Sequence, residues 1–157
     1  MNEKILELLV KFGVTAILCG LIGFEREMRH KGAGAGLRTH ILVGLGSCLI
    51  VLTSIHVFDI YNPITPVDPS RIISCIVTGI GFLCAGTIIR GGGMYVSGLT
   101  TAATVWIASA IGMAVGVGQY IESFIFSIVV FFVLTALRSI EQRLGKHTKN
   151  FEPQTKE

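Results

Sequence analysis

The chain has 157 residues, of which 51% are hydrophobic and 15% charged, with a net charge of +3 and a mean hydropathy of +0.69. A soluble domain of this length does not reach such values, so the solvent for most of the chain is lipid. The small positive charge also excludes a nucleic-acid-binding protein, which would concentrate basic residues on one face.

Five segments are long and apolar enough to cross a bilayer, since a spanning helix needs roughly 20 mainly apolar residues. They cover residues 5–24, 37–57, 71–89, 98–118 and 119–138. The sequence therefore predicts an all-α integral membrane protein with five transmembrane helices. We expect residues 1–144 to form the membrane domain and the charged residues 145–157 to form a disordered tail. The first segment is interpreted as a retained span because no small-x-small cleavage site follows its long apolar stretch.

The Lys and Arg residues of the connections indicate the orientation of the helices. The first connection, the start of the third and the C-terminal tail are basic, whereas the second connection contains Asp59 and Asp68 before it reaches Arg71. We therefore expect the basic connections and the C-terminus to face the cytoplasm and the N-terminus to face outward.

Small residues recur at helical spacing in segments 1–4, as they do where membrane helices pack closely. Segment 4 has Thr104, Ala108, Gly112 and Gly116, each four residues apart. The small residues of segment 3 are Cys75, Gly79, Gly81, Ala85 and Gly86. We expect these four segments to pack tightly, and the Phe-rich segment 5 to be peripheral, facing lipid or a second copy in a homodimer. The four cysteines all lie in apolar spans without a Cys-x-x-Cys pair and are interpreted as packing residues.

Two four-residue stretches share a pattern 62 positions apart, Gly36-Leu37-Arg38-Thr39 and Gly98-Leu99-Thr100-Thr101. Each follows a glycine-rich basic loop and begins an apolar segment. Segments 1–2 and 3–4 are therefore compatible with a parallel repeat about an axis along the membrane normal. Convergent chemistry at two helix starts is the alternative.

The densest group of charges lies in the first basic connection. A cation at Arg38 opposes the dipole of the helix that begins there, so it needs an anion or a specific partner. The nearest carboxylates along the chain are Glu25 and Glu27, and Glu25 also precedes Arg29 by four residues, the order that favours a helical ion pair. We expect an ionic cluster that closes the loop. The alternative is that these residues only flank the membrane, with their Arg and Lys side chains reaching into the headgroups.

The second basic connection combines Arg90 with the run Gly91-Gly92-Gly93. Such a loop either presents backbone N–H groups to an anion or is a flexible turn without a ligand. Ser97 is the expected N-cap of segment 4, whose hydroxyl-bearing residues can also bond within the bundle. The candidate ligand-binding or partner-binding residues are Glu25, Arg26, Glu27, Arg29, Arg38, Thr39, Arg90, Thr100 and Thr101.

Signatures of enzymes and metal sites are absent from the sequence. There is no phosphate-binding loop of the Gly-x4-Gly-Lys-Ser/Thr type, and the four histidines have no metal-ligand spacing. We therefore expect no catalytic residue, no metal and no cofactor. A Mg²⁺ path would need intramembrane acids, and segments 2–4 contain no Asp or Glu. Glu7 and Lys11 form an acid-first pair near the outer end of segment 1 that can reach the interface.

Two motifs around the first basic connection, Gly23-Phe24-Glu25-Arg26-Glu27 and Ala35-Gly36-Leu37-Arg38-Thr39, occur together with the runs 79–88 and 98–106. In this combination the chain resembles the membrane domain of the MgtC/SapB family. The resemblance implies a multi-pass protein of the bacterial inner membrane, a link in some members to magnesium limitation, and restraint of the ATP synthase. Members commonly carry a soluble C-terminal domain after the last span. The chain is too short to hold it, so we expect the membrane domain alone.

The sequence thus predicts a non-enzymatic membrane factor in magnesium or ion homeostasis that acts through its cytoplasmic loops. Its expected partners are the lipid bilayer, a second copy of the chain in a homodimer and, by resemblance, the ATP synthase. The alternative is a transporter or channel subunit for Mg²⁺ or another cation, with a path between the two helix repeats.

Overall fold

The computed structural model describes residues 2–29, 34–62, 68, 70–89 and 97–149, with the backbone alone at residues 29, 89 and 138–149. These residues form five helices and no strand: α1 Asn2–Arg29, α2 Leu37–Tyr61, α3 Ser70–Ile89, α4 Leu99–Gly116 and α5 Tyr120–Lys149. All five are long and apolar enough to span a membrane, which confirms the predicted fold class. The last helix continues to Lys149, into the range expected to be a tail, and residues 150–157 lie outside the described part.

Helix α4 lies at the centre of the bundle, where it packs against each of the other four helices. In its most apolar 18-residue stretch, 56% of the residues are buried, whereas the corresponding share is 17% in α3 and in α5. The four-residue stripe of small side chains predicted to pack is buried along its whole length. Segment 5 is peripheral, as expected.

Glycines bring the backbones of α2 and α4 into direct contact. A Cβ atom at Gly112 would overlap the carbonyl group of Gly44, and one at Gly116 would lie 3.0 Å from side-chain atoms of Val51. Two apolar clusters pack around this contact. One joins α1, α4 and α5 through Ile22, Ile111 and Val130, among others. The second joins α2, α3 and α4 through Val51, Ile76, Ile80 and Val105.

The small residues of α3 do not pack as predicted. Gly79, Gly81 and Gly86 have open space where a Cβ would stand, and Cys75 is exposed. The helix instead contacts its neighbours through the branched side chains of the second cluster, and the Cys84 thiol donates to the carbonyl oxygen of Ala102 at 3.2 Å. The expectation of tight packing through these glycines is wrong, because α3 turns Ile76, Ile80 and Cys84 toward its neighbours and the glycines lie on its other sides.

Both Gly-Leu-x-Thr motifs begin a helix, with Gly36 and Gly98 as the N-cap residues. Their conformations differ: Gly36 is extended, whereas Gly98 has φ +86° and would place a Cβ 2.6 Å from the carbonyl oxygen of Thr87. This position requires glycine. The predicted N-cap role of Ser97 is therefore wrong, and the internal repeat stays a prediction.

Helix α3 begins with a side-chain cap in the second connection. The backbone N–H and the hydroxyl of Ser70 both donate to Oδ1 of Asp68, at 2.9 and 2.6 Å. These hydrogen bonds hold the pKa of the Asp68 carboxyl below its ordinary value. The cap fixes the start of α3 at the end of the bundle opposite to the glycine-capped helix starts.

Candidate functional site

The end of the bundle where α1 and α3 end and α2 and α4 begin, here called the basic end, contains a buried polar group on α1. The side chain of Arg26 is only 6% exposed, and its Nη2 donates to the hydroxyl oxygen of Thr101 on α4 at 2.9 Å. Thr101 is itself 7% exposed. Two of the predicted site residues, 75 positions apart, are therefore in direct contact.

A glutamate on α1 caps the first turn of α2. Oε2 of Glu27 accepts a hydrogen bond from the backbone N–H of Leu37 at 2.9 Å. A carboxylate at a helix N-terminus meets an unsatisfied N–H group and the positive end of the helix dipole together. Because Gly36 provides no side-chain cap, the preceding helix supplies one.

Arg38 does not have the ion pair predicted for it. Its side chain is exposed, and no carboxylate of the described residues lies within ion-pair distance of it. Glu27 instead accepts from the backbone N–H of Leu37, so its carboxylate compensates the helix dipole directly and does not pair with the Arg38 guanidinium. Glu25, the other expected partner, is 5% exposed and lies on α1 beside Arg26.

The remaining predicted site residues differ in position. Thr39 and Thr100 are exposed on the first turns of α2 and α4. The side chain of Arg29 and the whole of Arg90 lie outside the described residues. The structure thus brings Arg26 and Thr101 together, places Glu25 and Glu27 at the same helix end, and leaves Arg38, Thr39 and Thr100 on the surface around them.

His40 is a central residue of this end that sequence reasoning did not single out. It is fully buried, its Nδ1 lies 2.8 Å from the carbonyl oxygen of Gly36, and its Nε2 lies 3.0 Å from the hydroxyl oxygen of Thr104. The imidazole therefore ties the cap of α2 to α4. The sequence did contain an indication of this position. His40 lies four residues before Gly44, so the two residues are on the same face of α2, the face that packs against α4.

The hydroxyl of Thr104 also lies 3.0 Å from the carbonyl oxygen of Thr101. A carbonyl oxygen only accepts, so Nδ1 of His40 donates to Gly36, and a neutral imidazole then accepts at Nε2. Thr104 has one hydroxyl proton, which it can give to either His40 or Thr101. Arg26, Thr101, Thr104 and His40 form one connected group, here called the basic-end cluster, that joins α1, α2 and α4.

Further polar contacts follow the same three helices toward the opposite end. The hydroxyls of Ser47 on α2 and Ser109 on α4 lie 2.8 Å apart, and the Thr15 hydroxyl donates to the carbonyl oxygen of Lys11 at 2.8 Å. Lys11 itself is 8% exposed and pairs with Glu7 at 2.9 Å. The predicted pair on α1 is confirmed, and its lysine is buried among the helices.

We refer to this line, from Lys11 through Thr15 and the Ser47–Ser109 pair to the basic-end cluster, as the polar seam. Each of its two ends has a buried cation, Lys11 at one and Arg26 at the other. Between them α1 has no acidic residue from 12 to 24, and α2 and α4 have none from 37 to 58 and from 99 to 116. Within the described residues no three His, Cys, Asp or Glu side chains group as metal ligands would.

Comparison with known proteins gives one family and several relatives. The model of the family described as "MgtC family" matches residues 12–143. The chain is 42% identical over 140 residues to a protein of Escherichia coli K12 named "Putative magnesium transporter YhiD". It is 34% identical over 142 residues to "Protein SapB" of Bacillus subtilis and 40% identical over 134 residues to "Protein MgtC" of Salmonella typhimurium.

The matches cover most of this chain but only part of each relative. They include 88%, 88% and 85% of the chain, and 64%, 60% and 54% of the length of YhiD, SapB and MgtC respectively. No solved structure matches the chain.

Proposed function

The chain belongs to the MgtC family, and from that premise we propose that it is a non-enzymatic accessory factor of ion homeostasis that acts through the basic end of its bundle. Five apolar helices and the family make it a multi-pass bacterial membrane protein. In the proposed orientation the N-terminus lies outside the inner membrane and the basic end faces the cytoplasm, because the Lys-rich and Arg-rich connections are there.

The observation that carries this proposal is the lack of carboxylates along the polar seam between its two ends. Lys11 and Arg26 are buried there and are accompanied by Glu7 and Glu25 at the two ends, but a Mg²⁺ ion crossing between α1, α2 and α4 would meet no acidic side chain between those ends. Intramembrane cation paths contain carboxylates. The contact of Gly112 with the Gly44 backbone also leaves no gap between α2 and α4 at that level. The seam is therefore better suited to joining helices than to conducting a divalent cation.

The surface of the basic end supports a role in binding. Arg38 and Thr39 are exposed there, above a buried cluster that holds the three helix ends in one arrangement. An exposed guanidinium at a rigid helix start can bind a carboxylate or phosphate of a partner. Thr100, exposed on the first turn of α4, belongs to the proposed surface; the side chain of Arg29 and the whole of Arg90, which the sequence also predicts for it, lie outside the described residues. A partner membrane protein is the proposed occupant, and the family resemblance makes the ATP synthase the first one to test.

The second candidate function is transport, which the name of the relative YhiD favours. A path for Mg²⁺ would then have to use hydroxyl and carbonyl oxygens, for example between α3 and α4. Neither of these helices contains an Asp or Glu, and α2 contains none before Asp59. A homodimer, also proposed, would offer a further path between two copies.

Two linked measurements separate the candidates. Purified protein in liposomes loaded with a Mg²⁺-sensitive dye is expected to give no Mg²⁺ uptake above that of empty liposomes, with a membrane potential applied. In bacteria that lack their own relative, the chain is expected to restore growth at low Mg²⁺ concentration, and Arg38→Glu is expected to abolish that growth.

Arg71→Glu is the matched control for the growth measurement. Arg71 is also an exposed arginine at the second position of a helix, but it lies at the opposite end of the bundle. The growth defect should be confined to Arg38→Glu at equal amounts of protein in the membrane. Reproducible Mg²⁺ flux that Arg38→Ala removes from a folded protein would refute the accessory role.

A further inference from the structure

A groove between α4 and α5 opens toward the bilayer. It has a volume of about 570 Å³, and its wall on the α5 side consists of exposed side chains apart from the buried Ser123. Its lining residues are Ala110, Ile111, Ala114, Glu122, Ser123, Ile125, Phe126 and Val129. The two short alanines of α4 leave the space, and the larger side chains of α5 border it.

The lining is apolar except at one end. The Ser123 hydroxyl donates to the carbonyl oxygen of Gln119 at 2.6 Å, so its proton is already hydrogen-bonded within α5. Glu122 is an exposed carboxylate in the first turn of α5. Because that turn directly follows the connection between α4 and α5, the carboxylate lies at headgroup depth and the apolar part lies below it.

The groove is short enough to lie within one leaflet of a bilayer. From Glu122 to Val129 is seven residues of helix, or about 10 Å at 1.5 Å per residue. The hydrocarbon of one leaflet is about 15 Å thick, half of a roughly 30 Å core. A transmembrane helix would need a contact surface running through both leaflets, whereas a single acyl chain needs only this one.

We propose that the α4–α5 groove binds one acyl chain of a phospholipid whose headgroup carries an ammonium group, and that this ammonium pairs with Glu122. The groove supplies apolar walls at acyl-chain depth, and the carboxylate at its rim supplies the complementary charge. The bilayer tails outside are as apolar as the groove, so the preference for one lipid comes from the headgroup pair and from packing between the helices.

The chain contains its own reporter for this site. Its one tryptophan, Trp106, lies four residues before Ala110 and eight before Ala114, on the same side of α4. It is 47% exposed, so bromine atoms in a nearby acyl chain would quench its fluorescence. The probes are phosphatidylethanolamine and phosphatidylglycerol, each brominated in its acyl chains and mixed at equal mole fraction with unlabelled lipid.

The brominated phosphatidylethanolamine is expected to reach half-maximal quenching of Trp106 at about twofold to fivefold lower mole fraction than the brominated phosphatidylglycerol. This factor is the gain in affinity that one exposed ion pair provides. Glu122→Gln should abolish this difference and Glu122→Lys should reverse it. Asp59→Asn removes an exposed carboxylate from the same end of the bundle and should leave the difference unchanged.

A second variant tests the groove separately from the headgroup. Ala114→Phe fills the space between the helices and should reduce quenching by both lipids, with Ala114→Leu as a smaller filling if the phenylalanine variant does not fold. Equal quenching of the unaltered protein by the two lipids would overturn the proposal. So would a preference that survives Glu122→Gln, or quenching that neither filling variant reduces in a folded protein.

Discussion

Nε2 of His40 and the hydroxyl of Thr104 lie 3.0 Å apart in the buried contact between α2 and α4, which makes an imidazole the link between the start of one helix and the first turns of another. Replacing His40 by alanine removes this bond and the one to Gly36, and leaves a cavity. We expect the free energy of unfolding to fall by about 3 kcal/mol. Denaturation of the purified protein in detergent, followed through Trp106 fluorescence, measures it.

The same helix provides a control for this substitution. His56 is exposed near the other end of α2, so His56→Ala should change the free energy of unfolding by no more than about 0.5 kcal/mol. Equal effects of the two alanine variants would show that the His40 bonds contribute nothing to stability.

The hydroxyl of Thr101 is expected to matter while that of its neighbour does not. Thr101→Val keeps the shape of the side chain but removes the acceptor that Arg26 uses, at an expected cost of about 1–3 kcal/mol because the guanidinium stays buried. Thr100→Val changes an exposed side chain and should be neutral. Thermal unfolding of both variants in the same detergent tests the difference, and a neutral Thr101→Val would contradict it.

Replacing Gly112 by alanine is expected to destabilise the protein. A methyl group there overlaps the backbone of Gly44, so Gly112→Ala must push α2 and α4 apart, at an expected cost of about 1–3 kcal/mol. Gly46 has open space at the Cβ position, so Gly46→Ala should be neutral or stabilise its helix by up to about 1 kcal/mol. Unfolding curves that rank these two alanine variants the other way would refute the close helix contact.

The start of α2 should loosen when its capping carboxylate is removed. Glu27→Ala leaves the Leu37 N–H without its acceptor, and a lost cap of this kind costs about 1 kcal/mol. Hydrogen exchange followed by mass spectrometry should show faster exchange in the first turn of α2. Arg38→Ala removes a cation that opposes the helix dipole and should not accelerate exchange there; acceleration by both variants would point to a bound Arg38 instead.

The five helices were predictable because a bilayer imposes a minimum length of apolar sequence on each span. The buried stripe of α4, from Thr104 to Gly116, was predictable for a related reason, since small residues at helical spacing permit close packing. Composition alone does not say which small residues find a neighbour. Gly79 and Gly81 have the same character as Gly112, yet they face away from the other helices.

The candidate site was predictable in its location and only partly in its contacts. Arg26 and His40, on the helices that flank the basic connection, are buried polar residues, but Glu27, an expected partner of Arg38, bonds the backbone of Leu37 instead. His40 was missed because its polar partner on α4, Thr104, lies 64 positions away. The position of a polar residue along an apolar span predicts its depth in the membrane. Which residue it contacts depends on how the helices are arranged around one another.

The central position of α4 has a consequence for how the bundle assembles during synthesis. Cys19, Arg26, His40 and Cys84 all precede α4 in the chain, and each makes a hydrogen bond to α4. A ribosome completes α1, α2 and α3 before any of those partners on α4 exists. Polar groups without partners are costly in hydrocarbon, so the first three helices gain their lasting arrangement only when the fourth enters the bilayer and the separate spans condense around it.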